Sequence, residues 1–328
     1  MPLYRKLLGV SAAAALTASV TRARREARRR AIELGAPFGV LPTLPTGPSR
    51  RVGVVYNPSK PGVAVAIEIL ERILAANGHP KALVRTTRVD EPGSEAAREL
   101  IAEGVDLLIA AGGDGTVRAV AAALAHHEGT KPRLGILPMG TGNLLARNLY
   151  IPVSDVAACV NIALNGAGQS VDAIEMTTTS TPGEETEHTF FVMSGAGFDA
   201  LVMNDTNEEI KAKFGWVAYV QSGMKHMLGR SHPVRISVDG GEPRTLPMRS
   251  VLIANCGRLQ GGIRLADMTD VNDGNLEVIV ASPRDLVEWG LLMAKVTRRT
   301  ILGSPRIELP VIRHLVGSEV VLEFPDGA

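Results

Sequence analysis

The chain has little cysteine, few aromatics and no excess of charge. Two cysteines in 328 residues, Cys159 and Cys256, carry no ligand spacing and sit among apolar neighbours. They exclude a disulfide framework and a thiolate metal site, and they read as small core residues in a reducing compartment. With 35 basic and 34 acidic residues the net charge is +1. The molecule as a whole therefore shows no signature of nucleic-acid binding. No GxxxxGK[ST] is present, no GxGxxG follows the first strand, and HExxH and GxSxG are also missing. Those gaps speak against a Walker-type loop, a dinucleotide fold, a zinc protease and a nucleophile elbow. No histidine stands in a catalytic pattern.

What the sequence does have is a doubled construction between Val105 and Leu149. An apolar strand, Val105 to Ala111, runs into Gly112-Gly113-Asp114-Gly115-Thr116, and a helix is predicted to begin near Val117. A second strand, Leu134 to Leu137, runs into Gly140-Thr141-Gly142-Asn143, with a helix from Leu144. Near-continuous apolar strands alternating with helices predict a parallel sheet covered on both faces, with its ligand crevice beyond the carboxyl ends of the strands. Glycine turns opening helices offer backbone N–H groups to phosphate. A carboxylate in such a cradle, Asp114, calls for a divalent cation or a network of N–H groups. The reading is a nucleotide triphosphate with magnesium. The plainer alternatives, that Asp114 only caps its helix and that Thr141 and Asn143 are only turn formers, stay open.

GGDGT followed by PMGTGN and then GTGNLLARNL with Ile151-Pro152 resembles the catalytic domain of the diacylglycerol kinase and sphingosine kinase superfamily, in particular its soluble bacterial lipid kinases. GGDGT alone is shared with NAD kinases, whereas the second turn is more discriminating. The resemblance implies ATP and Mg2+ as cofactors and a membrane lipid, most plausibly diacylglycerol, as acceptor. It also places further residues. Asn57-Pro58-Ser59-Lys60 stands where the family has its NPxSG turn, and Thr87 where it has a nucleotide-contacting threonine. Asp172 stands where it has an acidic residue facing the cleft. Asp273-Gly274-Asn275-Leu276 matches a DGxL turn that holds a structural magnesium, with carboxylates from Asp270 and Asp273 and the main-chain carbonyl of Asn275. The implied catalytic residues are Asp114 and Asp172. The implied nucleotide-binding set is Asn57, Pro58, Ser59, Lys60, Thr87, Gly112 to Thr116 and Gly140 to Asn143.

Three positions depart from the family pattern. Leu144 stands for an aspartate, Arg118 and Ala119 stand for Asn-Glu, and the chain stops at Phe324-Pro325-Asp326-Gly327-Ala328, where relatives carry Asp-Gly-Glu. That glutamate is the family's proposed general base, so we expect the natural chain to continue. The competing readings are a catalytically impaired module that binds nucleotide and lipid, and an NAD kinase.

The expected organisation has three parts. Residues 1–50 form a basic, membrane-associating segment and linker. Its apolar run, Leu7 to Val20, falls short of the ~20 residues of a spanning helix, and the arginines of 22–30 would meet an anionic surface on the cytoplasmic side. Residues 51–168 form an α/β nucleotide-binding domain. Residues 169–328 form a β-rich sandwich that takes the lipid, with strands near 171–176, 189–194, 234–238, 249–256, 276–280, 307–309 and 319–324. Within it, Glu208 to Leu228 reads as a helix whose apolar side is either core or a lipid cavity, and 183–187 as an exposed acidic loop. The expected location is the cytoplasm, peripheral to the inner face of the membrane. The oligomeric state, monomer or homodimer, is left open.

Overall fold

In the computed structural model the described residues are 4–10, 50–129, 131–181, 184–197, 231–259, 265, 270–285, 287–292, 294 and 311–325. The helix expected at 208–228, the strand at 307–309 and Asp326 lie outside them. The first strand, β1 (Tyr4–Val10), belongs with the second half of the chain. The α/β domain begins at β2 (Val52–Tyr56) and continues through α1 (Val63–Ala76), β3 (Leu83–Thr86), α2 (Ser94–Ala102) and β4 (Leu107–Gly112). It ends with α3 (Asp114–Ala125), β5 (Arg133–Pro138), α4 (Leu144–Asn148) and α5 (Val156–Asn165).

These strands form a parallel sheet in the order β3-β2-β4-β5. Its central strands are buried along their apolar runs, β4 throughout and β2 up to Val55. Val55, Leu108 and Ala110 pack with α2 and α3 on one face, and Val54, Leu107 and Ile109 with α1 and α5 on the other. The chain leaves β2 towards β3 and then crosses back to β4. The point where strand order reverses therefore lies between β2 and β4. At such a point the two outgoing loops part and open a crevice. Here those loops are 57–62 and 112–113, followed by the first turn of α3.

The second domain holds β6 (Ala173–Thr181), β7 (Glu184–Phe190), β8 (Met193–Gly197), β9 (His232–Val238), β10 (Arg244–Met248), β11 (Ser250–Ala254), β12 (Leu276–Ala281), β13 (Ile312–Gly317) and β14 (Glu319–Glu323). They make two antiparallel sheets, β10-β9-β14-β1-β6-β7 and β13-β12-β11-β8. Ile174, Phe190, Val234, Ile236, Val320 and Leu322 of the first meet Ala196, Val251, Ile253, Val278 and Val280 of the second. This is a β-sandwich core. Near its edge, Asp239 in the β9–β10 turn accepts N–H groups from Ser318 and Glu319 and the Ser318 hydroxyl. These bonds, the one from the Glu319 N–H foremost, hold its carboxyl below the usual carboxylate range.

Several local expectations change. Helix α3 starts at Asp114, so Asp114, Gly115 and Thr116 are its first turn and not a loop before it. The acidic stretch after Gly183 is strand. Glu184, Glu185 and Glu187 pair with β6 and keep their side chains in solvent on the outermost strand of the sheet. Charge on an edge strand discourages pairing with another chain, and a stretch so polar resembles a loop when read alone. The expected strand at 189–194 is two strands in different sheets, broken at Phe191-Val192. Residues 4–10 pair with β14 on one side and β6 on the other. Leu7 to Val10, expected as the start of an apolar membrane-contacting run, are thus strand, and ladders on both sides take up their backbone polar groups. Residues 11–49 lie outside the described set. Among the described residues no helix is long and apolar enough to cross a membrane.

Candidate active site

The two glycine bends meet, and they meet as unequal partners. Met139 donates its N–H to the carbonyl of Gly112, which brings the end of β5 alongside the end of β4. Gly140 then lies so close to Gly113 that a methyl group added at Gly140 would stand 2.6 Å from the Gly113 Cα. In this bend Asn143 has φ 49°. It folds its amide back on Gly140, accepting that residue's N–H at 2.9 Å and donating to its carbonyl at 2.6 Å.

Asp114 closes the pair. One carboxylate oxygen accepts the Asn143 N–H at 2.8 Å and the other accepts the Leu144 N–H at 2.6 Å. The first free amides of α4 are thus taken by a side chain of α3. This corrects the expectation that both bends offer amides to a ligand. The second bend is filled by Asp114, which acts as a brace and caps the neighbouring helix rather than its own. Asn143 likewise engages its amide within the turn, on both polar groups of Gly140. Thr141 is exposed beside it. Arg147 donates from Nε to the Gly142 carbonyl at 2.7 Å, so a guanidinium stands behind the bend.

The first bend is open. A methyl group added at Gly115 would meet nothing within 4 Å, and one at Gly113 would find Lys60 Cε at 3.7 Å. The first turn of α3 leaves its N–H groups without intrahelical partners. Free amides at the start of a helix, with open space beside Gly115 and Lys60 beside Gly113 at the switch point, suit an anion such as a phosphate.

The loop after β2 is tied to this place, since Asn57 donates its N–H to Ala111. Its own polar groups are used internally. Asn57 Oδ1 accepts both the N–H and the hydroxyl of Ser59, at 2.9 and 2.7 Å. Pro58 and Ser59 thereby shape the turn that carries Lys60. Thr87 is buried, donates its N–H to the Tyr56 carbonyl and packs its side chain near Gly93. Thr116 is buried against Gly112.

The residues expected from the second domain gather around one turn. Asp172 accepts the Gly274 N–H at 2.7 Å and donates its own N–H to the Val271 carbonyl. Burial pushes its carboxyl above the usual range and the charge of Asp273 adds to this, while the Gly274 bond opposes. Asp172 thus binds protons more tightly when folded. Its contribution to stability is present at pH below the ordinary carboxylate value and is lost as pH rises through the raised one. Thermal melts across that window should show wild type losing stability relative to Asp172→Asn as pH rises. Parallel curves would contradict the assignment.

Asp270, Asp273 and Asn275 do share one turn, but Asp273 is engaged within it. Its carboxylate accepts the N–H groups of Asp270 and Asn275, at 3.0 and 2.9 Å. Among the described residues no three acidic, histidine or cysteine side chains converge to hold a metal ion. The expected set, two carboxylates and a main-chain carbonyl, lies within this one turn, and the Asp273 carboxylate already accepts two of the turn's N–H groups.

Sequence reasoning missed the residues that join the domains. Asn148 of α4 donates to the Arg258 carbonyl at 2.9 Å and accepts the Arg258 N–H at 3.1 Å. The Arg258 guanidinium lies 4.5 Å from the centre of the Tyr150 ring, a cation–π contact. Asn255, fully buried, donates to the carbonyls of Phe191 and Asp172. Behind α3, His126 bonds the Thr189 hydroxyl at 2.8 Å. Such pairs span 63 to 110 residues, and nothing local announces them. Both thiols are inert by placement: burial pushes Cys159 and Cys256 up to about 12.

With this geometry in view, comparison with known proteins is direct. Residues 51–176 match the model of the diacylglycerol kinase catalytic domain. Residues 192–327 match the YegS C-terminal NAD kinase beta sandwich-like domain. A protein of Xanthomonas axonopodis named "Probable lipid kinase YegS-like" is 35% identical over 206 residues, which are 62% of this chain and 64% of that protein. The chain thus spans just under two thirds of that relative's length. A diacylglycerol kinase of Bacillus subtilis is 27% identical over 73% of this chain and 76% of its own length. A crystal structure of a diacylglycerol kinase from Bacillus anthracis aligns at TM-score 0.62 and 23% identity, covering 85% of this chain and 88% of that one. That likeness is one of fold.

Proposed function

Since the chain belongs to the diacylglycerol kinase catalytic-domain family and pairs that domain with a YegS-type β-sandwich, we propose that it transfers the γ-phosphoryl group of ATP to a hydroxyl of a membrane lipid, most simply diacylglycerol. The product would then be phosphatidic acid and ADP. The observation that supports this best is the inequality of the two bends. One is braced shut by Asp114, while the other is open at Gly115 and has Lys60 beside Gly113.

Phosphoryl transfer asks the protein for position and charge more than for covalent chemistry. The amides at the start of α3 and the Lys60 ammonium would hold phosphate oxygens. Thr141 would reach the nucleotide from the exposed side of the second bend. Magnesium would arrive with ATP as part of the substrate and neutralise charge there. Asp172, with its raised affinity for protons, is the carboxylate in the described second domain suited to receive the proton of the attacking hydroxyl. Asn255 and Gly274 hold it in place.

The test is transfer of labelled γ-phosphate from Mg–ATP into extractable lipid, using vesicles that contain diacylglycerol. Label in phosphatidic acid supports the reading. No transfer to any lipid, with nucleotide still bound, would favour the non-catalytic module, a reading that draws on the full engagement of the Asp114 carboxylate by the second bend. Phosphorylation of NAD without vesicles would favour the NAD kinase.

A further inference from the structure

Helix α4 ends on a residue that helix chemistry does not favour. The N–H of Tyr150 bonds the Arg147 carbonyl, and that of Ile151 bonds the Ala146 carbonyl. This paired closure puts the residue at position 150 in the left-handed region, and Tyr150 has φ 58°. Glycine is the usual occupant, because a Cβ there is strained. The tyrosine ring has a partner that glycine could not supply. The Arg258 guanidinium, from the second domain, lies 4.5 Å from its centre.

The backbone of Arg258 is held as well. The Asn148 side chain donates to its carbonyl at 2.9 Å and accepts its N–H at 3.1 Å. The same amide donates to the Leu144 carbonyl at 2.8 Å, so Asn148 is itself fixed against its helix. From Arg258 the path runs inward through a short, well-tied loop. Asn255 and Cys256 both donate their N–H groups to the Val192 carbonyl. The buried Asn255 side chain then donates to the Phe191 and Asp172 carbonyls, at 2.9 and 3.4 Å. At its other end, α4 begins at the Leu144 amide that Asp114 braces. Hydrogen bonds and short pieces of chain thus lead from the paired glycine bends to Asp172, with α4 as a strut of roughly 7 Å between them.

The domains also meet behind α3. There Ala173 and Phe191 join the apolar cluster of α2 and α3, and His126 bonds the Thr189 hydroxyl. A single attachment would leave the sandwich free to pivot about it, and the contact at α4 is a second point that stops the pivot. We propose that Asn148 and Tyr150 form a latch on Arg258 that sets the position of Asp172 relative to the phosphate bends. Both are positioning residues, acting through Arg258 and Asn255 and not on the substrate. The inference rests on the proposed phosphoryl transfer, with Asp172 receiving the proton. In such a reaction a misplacement of about 1 Å costs about 10²-fold in rate, so the latch governs the transfer step and leaves nucleotide binding to the α/β domain.

The experiment uses the full chain with Asn148→Ala, Tyr150→Gly and Tyr150→Phe, in two separate measurements. In the first, kcat for transfer from Mg–ATP to detergent-dispersed diacylglycerol should fall at least about tenfold in Asn148→Ala, while calorimetry shows Mg–ATP affinity unchanged. Tyr150→Gly should lower kcat by about threefold or more, yet keep its melting temperature, because glycine relieves the strained φ. Tyr150→Phe keeps the ring and should keep kcat. In the second, residual dipolar couplings of backbone amides are measured without nucleotide. Wild type should fit one alignment frame with the domains oriented as in the structure, whereas Asn148→Ala and Tyr150→Gly should fit only with the domains treated separately. One common frame in both variants would overturn the proposal, as would an Asn148→Ala protein that melts lower but turns over like wild type. Equal losses in kcat and Mg–ATP affinity would also overturn it, by placing Asn148 in the nucleotide site. If wild type phosphorylates no lipid but the variants lose the common frame, the latch stands and the kinase reading falls.

Discussion

Gly140→Ala is expected to destabilise the α/β domain by about 1–3 kcal/mol and to weaken Mg–ATP binding by more than about tenfold. The added methyl would lie 2.6 Å from the Gly113 Cα and 3.0 Å from Asn143 Oδ1. Its first obstacle is backbone, which cannot swing aside like the tip of a long side chain. One bend has to lift off the other, and Gly113 is where the open bend begins. The informative partner is Gly115→Ala. There the methyl meets no atom within 4 Å, and alanine in a helix is favoured over glycine by about 1 kcal/mol. Gly115→Ala should thus melt at the same temperature or slightly higher, yet bind nucleotide less tightly, because the methyl enters the space assigned to phosphate. Thermal melts and calorimetric titration with Mg–ATP check both. A Gly115→Ala protein with undiminished affinity would remove the phosphate from that place.

Asp114→Ala should reduce phosphate transfer by about 10²–10³-fold and lower stability by about 1–3 kcal/mol. The brace carries two short bonds from a charged acceptor to the Asn143 and Leu144 amides. Removing it leaves those amides without an acceptor and frees the second bend to drift from the first. The comparison with Asp114→Asn separates a brace from a direct ligand of magnesium. An asparagine keeps one acceptor and turns a donor towards the other amide, so a brace predicts that activity and melting temperature fall together, and less far than in Asp114→Ala. If both variants lost activity equally and neither lost stability, the carboxylate would be working on the nucleotide and not on the bend.

The α/β half was readable in the sequence because its signals are local. Strands β4 and β5 are apolar runs that end at Gly112 and Pro138, and the helices after them begin within three residues of expectation. The start of α3 was misplaced for a physical reason: Gly115 looks like a loop residue, although it stands in the first turn of the helix. The sandwich was legible as a class and not in its pairing. Strand β1 lies against β14, from opposite ends of the chain, and no pattern in either strand names the other. Strands β10 and β13 were missed because Arg244–Met248 and Ile312–Gly317 mix exposed and buried positions.

The site shows the same division. That the glycine bends, Asp114 and Lys60 belong together followed from motif and order. What each does depends on contacts across 29 or 30 residues, such as those from Asp114 to Asn143 and Leu144. A carboxylate expected to face the ligand turns instead to its neighbour. Leu144 fits this role well, since its amide and not its side chain meets Asp114. The departure from the aspartate of the family's relatives therefore leaves the brace intact.

Amide chemical shifts during titration with Mg–ATP bear on the division of labour between the bends most directly. The account predicts large changes at the amides of Asp114, Gly115 and Thr116, with the amides of Asn143 and Leu144 keeping their hydrogen-bonded shifts throughout. The reverse pattern, with nucleotide displacing Asp114 from the second bend while the first turn of α3 stays unperturbed, would contradict it.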